Sequence, residues 1–310
     1  MILTAYPIIY YGRMDAFSSA LAILFPKYSE SISKFAISNN LSGKRLHDQR
    51  IQLVREISPE TGQLETERGV FRYFDPSDFV TQMVEIFVSG DYDLVSQGNE
   101  AEKLKIVDAG ANIGLASIFF SFNLREPDII VLEPNPEVAE VLRNNLAAFG
   151  VDARVVAEGL AGITREETLY INSTKSAAST FRKDRILSPP NHTRKFRGHL
   201  QSLVSILDSG PIDFLKMDIE GLEEEVILET PCEQLQQITL ITFEYHFPST
   251  VSRSRFTTVL EKLQQSGFDF NLRKISSSER GHRLARGNRR APSLLMECWQ
   301  RGRLPNYLPD

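Results

Sequence analysis

Three acids and a histidine stand at the ends of two apolar runs in the second half of the chain. Residues 213–217 lead into Asp218 and Glu220, and residues 239–245, which include Glu244, lead into His246. Asp218 and Glu220 share a side if the strand persists, or both line its exit turn if it does not. A hydroxyl that is to attack a carbon must lose its proton. His246, with an ordinary pKa near neutral, is the first candidate for that base. Asp218 is the second: it would accept the acceptor's hydrogen bond or fix part of a cofactor, with Glu220 beside it. A rival chemistry needs the same residues. Asp218, Glu244 and His246 offer ligands to a divalent cation, Mg²⁺ by oxygen preference, which would lower the pKa of a bound diol. Spacing alone does not set them around one ion, so the reading without metal is preferred. Blander readings are a histidine satisfied in the core, a Lys216 that serves the sheet, and a Glu223-Glu224-Glu225 run that is the solvated first turn of a helix.

The elements that must position these groups begin with residues 105–136, KIVDAGANIGLASIFFSFNLREPDIIVLEPNP. They read as strand, glycine-bearing turn, helix and second strand. Gly110 and Gly114 let the backbone approach a ligand closely. A dinucleotide fold wants G-x-G-x-x-G at this turn to seat a pyrophosphate on the helix N-terminus. Here Asn112 replaces the second glycine and Leu115 the third, and Asp108 just before the turn would repel a pyrophosphate. S-adenosylmethionine, cationic and without phosphate, suits that acid better than NAD. Glu133 closes the second strand 25 positions after Asp108, resembling the acid expected about twenty residues on that bonds ribose hydroxyls. Asn135 follows it, and Glu158, after the third strand, is placed to accept from the adenine amino group.

Strands are expected at 105–109, 128–132, 153–157, 213–217 and 239–245, alternating with helical patterns or long loops. That alternation predicts a doubly wound α/β fold, a mostly parallel sheet with helices on both faces. Asn135 caps the helix after the second strand, Pro136 fits its first position and Gly150 ends it. Residues 70–93 predict a strand and then a helix begun at Asp75-Pro76. Residues 268–272 and 293–299 predict a final antiparallel pair, joined by a basic stretch long enough for a flap. Residues 171–179 and 188–193 are turn-rich, which assigns the basic segment 182–199 to a long surface loop.

Four ordered motifs, VDAGANIGLAS, VLEPNPEV, DFLKMDIEGLEEEVI and FEYH, resemble those of the FkbM-type methyltransferases. The resemblance spans roughly residues 70–299 and is strongest between 106 and 228. It implies S-adenosylmethionine as methyl donor and the seven-stranded, Rossmann-like class I methyltransferase fold. The run Ala157-Glu158-Gly159 departs from the family's shorter, less charged one. The organisation expected is an N-terminal extension of mixed helix and loop over 1–68, a methyltransferase domain over 69–303 and a tail over 304–310.

Composition bounds the rest. The chain has 310 residues, 42% of them apolar, a formal charge of −5 and two distant cysteines, Cys232 and Cys298. This excludes a disulfide scaffold, and no apolar run reaches membrane-span length. The apolar N-terminus lacks a basic region ahead of it, so a cytoplasmic protein with reduced thiols is expected. Basic residues concentrate at 182–199 and 273–303. These segments are expected to frame the acceptor entrance and to suit an acceptor bearing phosphate, sulfate or carboxylate, or one carried on a peptide. Nucleic acid is not expected, because aromatics do not interleave with the basic residues. The activity expected is O-methylation of a hydroxyl on a sugar or secondary metabolite. N-methylation of an amide or amine, including a peptide side chain, is the nearest rival, and a non-catalytic adenosine-binding regulatory module is the rival from another class.

Overall fold

Short apolar runs buried on both faces pair most stably side by side under helices. The computed structural model describes residues 62–66, 68–87, 90–92, 103–173, 176–186, 190–247, 254–276 and 293–302. Most of the expected N-terminal extension, the centre of the second basic stretch and the tail at 304–310 lie outside these residues. Five strands run parallel: β3 (Lys105–Ala109), β4 (Asp128–Leu132), β5 (Ala153–Val156), β9 (Ile212–Met217) and β10 (Ile238–His246). With β11 (Phe268–Ser276) and β12 (Ser293–Gln300) they form a seven-stranded sheet in the order β11-β12-β10-β9-β3-β4-β5. β12 inserts antiparallel between β10 and β11, so the expected final antiparallel pair is present.

The two faces follow the alternation within each strand. Ile106, Val131 and Phe214 face one core, closed by α1 (Pro76–Phe87), α2 (Leu115–Asn123) and α3 (Pro136–Ala148). Val107, Ile130 and Leu215 face the other, closed by α4 (Leu203–Leu207), α5 (Glu223–Glu229), α6 (Cys232–Leu235) and α7 (Ser254–Gln265). The predicted caps of α3 are there: the Asn135 side chain accepts from the Glu137 amide and Pro136 opens the helix. A hairpin of β1 (Gln63–Thr66) and β2 (Gly69–Arg72) crosses the boundary expected at 68/69. Buried Asn145 of α3 clamps it by exchanging hydrogen bonds with the Arg72 backbone and donates also to the Ile113 carbonyl in the turn before α2. Among the described residues, no helix is long and apolar enough to cross a membrane.

One expectation is corrected here. The segment 182–199 is not a single surface loop, because β8 (Thr193–Ser202) is the middle strand of a three-stranded sheet, with β6 (Gly159–Ala161) and β7 (Arg165–Asn172). Its basic side chains are exposed, Arg197 pairing with Glu166 on β7 and Arg194 with Glu137 on α3. Gly198 and Leu200 are buried. Charge concealed the strand because Phe196 and Leu200 are its only large apolar residues, set among Arg194, Lys195, Arg197 and His199.

Candidate active site

Strand order reverses about β3, whose neighbours are β4 on one side and β9 on the other, and ligands of open α/β sheets bind beyond such a switch point. There, between α1, the strand ends and the segment 176–186, lies a cavity of about 340 Å³. One half is the turn after β3. Gly110 and Ala111 donate their amides to the Leu132 carbonyl, tying the turn to the end of β4. Gly110 has φ +73°, and a Cβ there would stand 1.8 Å from the Asp218 carbonyl oxygen. Glycine is thus demanded by the junction of β3 and β9, as well as lining the cavity. Asn112, at φ +50°, donates its amide to Glu133 Oε2 at 3.0 Å, and the Asn135 amide donates to Oε1 at 2.9 Å. Burial pushes the Glu133 carboxyl up to about 7 against these two N–H groups.

Residues from the sequence reading separate here. Gly110, Asn112 and Glu133 line the cavity, whereas Asp108, Gly114, Asn135 and Glu158 do not. Gly114 is required by packing instead, since a Cβ would meet Leu142 Cδ1 at 2.7 Å. Asn135 acts through its amide on Glu133 and as the cap of α3. At the place expected for Glu158, the cavity is lined by Gly159 and Leu160.

Asp108 corrects the charge argument. It is fully buried, 2.9 Å from Lys216 Nζ, and accepts from Ser117 Oγ at 2.6 Å. Its charge is answered within the core, and Lys216 is the member of the pair that reaches the cavity, donating to the Gly110 carbonyl at 2.8 Å.

The other half lies at the ends of β9 and β10. Asp218, Glu220, Glu244 and His246 all line the cavity, as their spacing suggested. What orients His246 is Glu223. Its carboxylate accepts from the Ile219 and Gly221 amides and lies 2.9 Å from His246 Nδ1. Glu223 is 1% exposed, which overturns the reading of 223–225 as a solvated run. Glu224 is buried too, accepting from the Tyr245 hydroxyl, and Glu225 pairs with Arg165. On the cavity side, His246 Nε2 lies 3.9 Å from Asp218, 3.8 Å from Glu220 and 3.9 Å from Glu244.

Electrostatics separates the two candidates for the base. Burial disfavours the imidazolium, but Glu223, Glu220 and Glu244 outweigh it and raise the His246 pKa to about 10. A charged imidazole has no lone pair to take a proton. Desolvation and then Glu244 push the Asp218 carboxyl up to about 8, even with 35% of its side chain open to the cavity. Sequence reasoning missed Arg185 and Tyr92 on the cavity wall. Arg185 donates to Glu220 Oε2 at 3.1 Å, yet nothing in the basic run distinguishes it from its neighbours. Tyr92 is buried with Lys216 Nζ 5.8 Å from its ring centre. Glu223 carried a faint signal, an acid two positions after a glycine turn whose amides need acceptors.

Residues 108–270 match the family model described as Methyltransferase FkbM domain. Methyltransferase sdnD of Sordaria araneosa is 28% identical over 228 residues, which cover 64% of this chain and 85% of that protein. Methyltransferase 1 of Beauveria bassiana is 24% identical over 204 residues, 59% of this chain and 78% of its own. AMB antimetabolite synthetase AmbE of Pseudomonas aeruginosa is 22% identical over 205 residues, 54% of this chain but 10% of the synthetase.

Proposed function

The chain belongs to the methyltransferase FkbM domain family, and from that premise we propose that it methylates a hydroxyl of a sugar or secondary metabolite with S-adenosylmethionine as donor. When bound, that cofactor supplies a methyl group on a sulfonium, which leaves as a neutral thioether once the acceptor oxygen takes the methyl. The residues of the first half fit it. The Asn112 side-chain amide is buried with both polar atoms unpartnered among the described residues, and such a group calls for a ligand. Each oxygen of Glu133 holds one backbone N–H and has a lone pair left for a ribose hydroxyl.

The observation that carries hydroxyl methylation is the convergence of Asp218, Glu244 and His246 on the cavity beside the Glu133 turn. A carboxylate whose pKa lies near neutral is suited to take the acceptor's proton. His246, charged and held by Glu223, donates rather than accepts and keeps the neighbouring carboxylates in place. The rest of the rate comes from alignment of the acceptor with the methyl carbon. The match to an antimetabolite synthetase supports a secondary-metabolite acceptor. The cavity wall bears several acids, and its Arg185 is occupied by Glu220, so a neutral or cationic acceptor suits it better than an anionic one. The same acids would hold an ammonium, which keeps N-methylation of an amine or peptide side chain as the second reading. The non-catalytic module gives way, since the family is one of enzymes. A cytoplasmic setting agrees with the free thiols of Cys232 and Cys298.

The test is transfer of a labelled methyl group to a panel of sugars, hydroxylated metabolites, amines and peptides, with products located by mass spectrometry. Ether products, lost in Asp218→Asn, are expected. Products methylated only on nitrogen would replace this reading with the second.

A further inference from the structure

We infer that Asp218, Glu244 and His246 form a binding site for a divalent first-row cation on the acceptor side of the cavity. The geometry begins with distances that fit no hydrogen bond. His246 Nε2 lies 3.9 Å from Asp218 Oδ1 and 3.9 Å from Glu244 Oε1, and one ligand atom from each residue falls within 4.8 Å of the others. Such separations are too long for hydrogen bonds. Two atoms each about 2.1 Å from a shared ion stand roughly 3–4 Å apart, and a small turn of either carboxylate brings the set into that range. Both carboxylates open on the cavity, their side chains being 35% and 32% exposed.

The imidazole separates this group from an ordinary cluster of acids. Its side chain is only 6% exposed, and among the described residues no partner lies within hydrogen-bonding distance of Nε2. Nδ1 is fixed by Glu223, a carboxylate itself held by two backbone amides, so that Nε2 is aimed at the other two ligands, and a cation binding there would displace the Nε2 proton to solvent. Histidines that bind metals are oriented by just such an outer carboxylate. Ser293 Oγ donates to Glu244 Oε1 and sets that side chain in turn. Glu220 is left outside the set because Arg185 holds it.

One imidazole and two carboxylates favour Mn²⁺ or a later first-row ion over Mg²⁺, which prefers oxygen alone. This departs from the Mg²⁺ preference drawn from the acids. Three protein ligands on one side leave coordination positions open to the cavity. There the ion would take two neighbouring oxygens of an acceptor, as in a vicinal diol, and lower the pKa of the one to be methylated, whose proton would then leave to water, Asp218 being occupied as a ligand. That purpose rests on the methyltransferase reading; the site itself does not.

The experiment titrates the chelator-treated full chain with Mn²⁺, following the free ion by electron paramagnetic resonance. Binding of S-adenosylhomocysteine is measured in parallel by calorimetry. Saturable binding of one Mn²⁺ per chain is expected, weakened tenfold or more in Glu244→Gln and in Asp218→Asn. Glu244→Gln should keep its thermal midpoint and its affinity for S-adenosylhomocysteine. Absence of saturable Mn²⁺ binding to the wild type would overturn the inference, as would equal binding in both variants. Mn²⁺ binding with the expected losses, beside no binding of S-adenosylhomocysteine, would instead sink the cofactor reading and leave the metal site standing.

Discussion

Two buried glutamates, Glu133 and Glu223, hold the two halves of the site and behave oppositely. Each follows a strand of the parallel sheet, and each accepts two backbone amides. Yet burial raises the Glu133 carboxyl to about 7, while Glu223 is held below its ordinary value because His246 overcomes the same burial. Two backbone N–H groups do not offset the loss of water around a carboxylate; a facing cation does. Glu133 is therefore short of donors, as the proposed contact to ribose hydroxyls requires. Glu223 is already complete, a fixed counter-charge for the imidazole.

The largest effect belongs to the joint between the halves. Gly110→Ala would drive a Cβ into the Asp218 carbonyl at a backbone angle that disfavours side chains. A loss above about 4 kcal/mol, or failure to fold, is expected in urea denaturation. Next comes Glu223→Gln, which leaves the buried His246 without its nearest counter-charge. A loss of about 3 kcal/mol is expected, together with a fall in kcat of roughly a hundredfold or more. Glu133→Gln should cost far less stability, and if the two cost the same, the contrast between these acids is broken.

Glu133→Ala should weaken S-adenosylhomocysteine binding about tenfold, or 1.4 kcal/mol, by calorimetry. The same acid gives a pH signature. Its pKa is raised in the folded chain from 4.5 to about 7, so the native state keeps the proton longer than the unfolded one. Stability of the free chain should accordingly decline as pH rises from 4.5 to about 7. Affinity for S-adenosylhomocysteine should climb over about pH 6–8, because the ionised carboxylate is the better acceptor. A flat profile in Glu133→Gln would assign both trends to this group, and an unchanged profile would assign them elsewhere. The smallest effect is expected at Glu158, which lies outside the cavity: Glu158→Ala should stay within about 0.5 kcal/mol in stability and leave kcat/KM unchanged.

Much of the site was legible because its pieces are local. The turn at Gly110–Gly114, the Asn135 cap and the strand end at Glu133 depend on backbone conformation and hydrogen bonds between near neighbours in the chain. Asp218, Glu220, Glu244 and His246 could be gathered because parallel strands end at one edge. The β8 strand was hidden by its charges, and Arg185 and Tyr92 by the lack of any pattern around them.

The sequence by itself determined the class of fold and the turn and sheet edge that line the cavity, since residue periodicity and turn geometry act over a few positions. Only the tertiary structure decided what each charge does. Asp108 is neutralised by Lys216 from another strand, and Glu223 is buried against His246. Desolvation and Coulomb attraction depend on neighbours in space, and the chain order says nothing of which ones those will be.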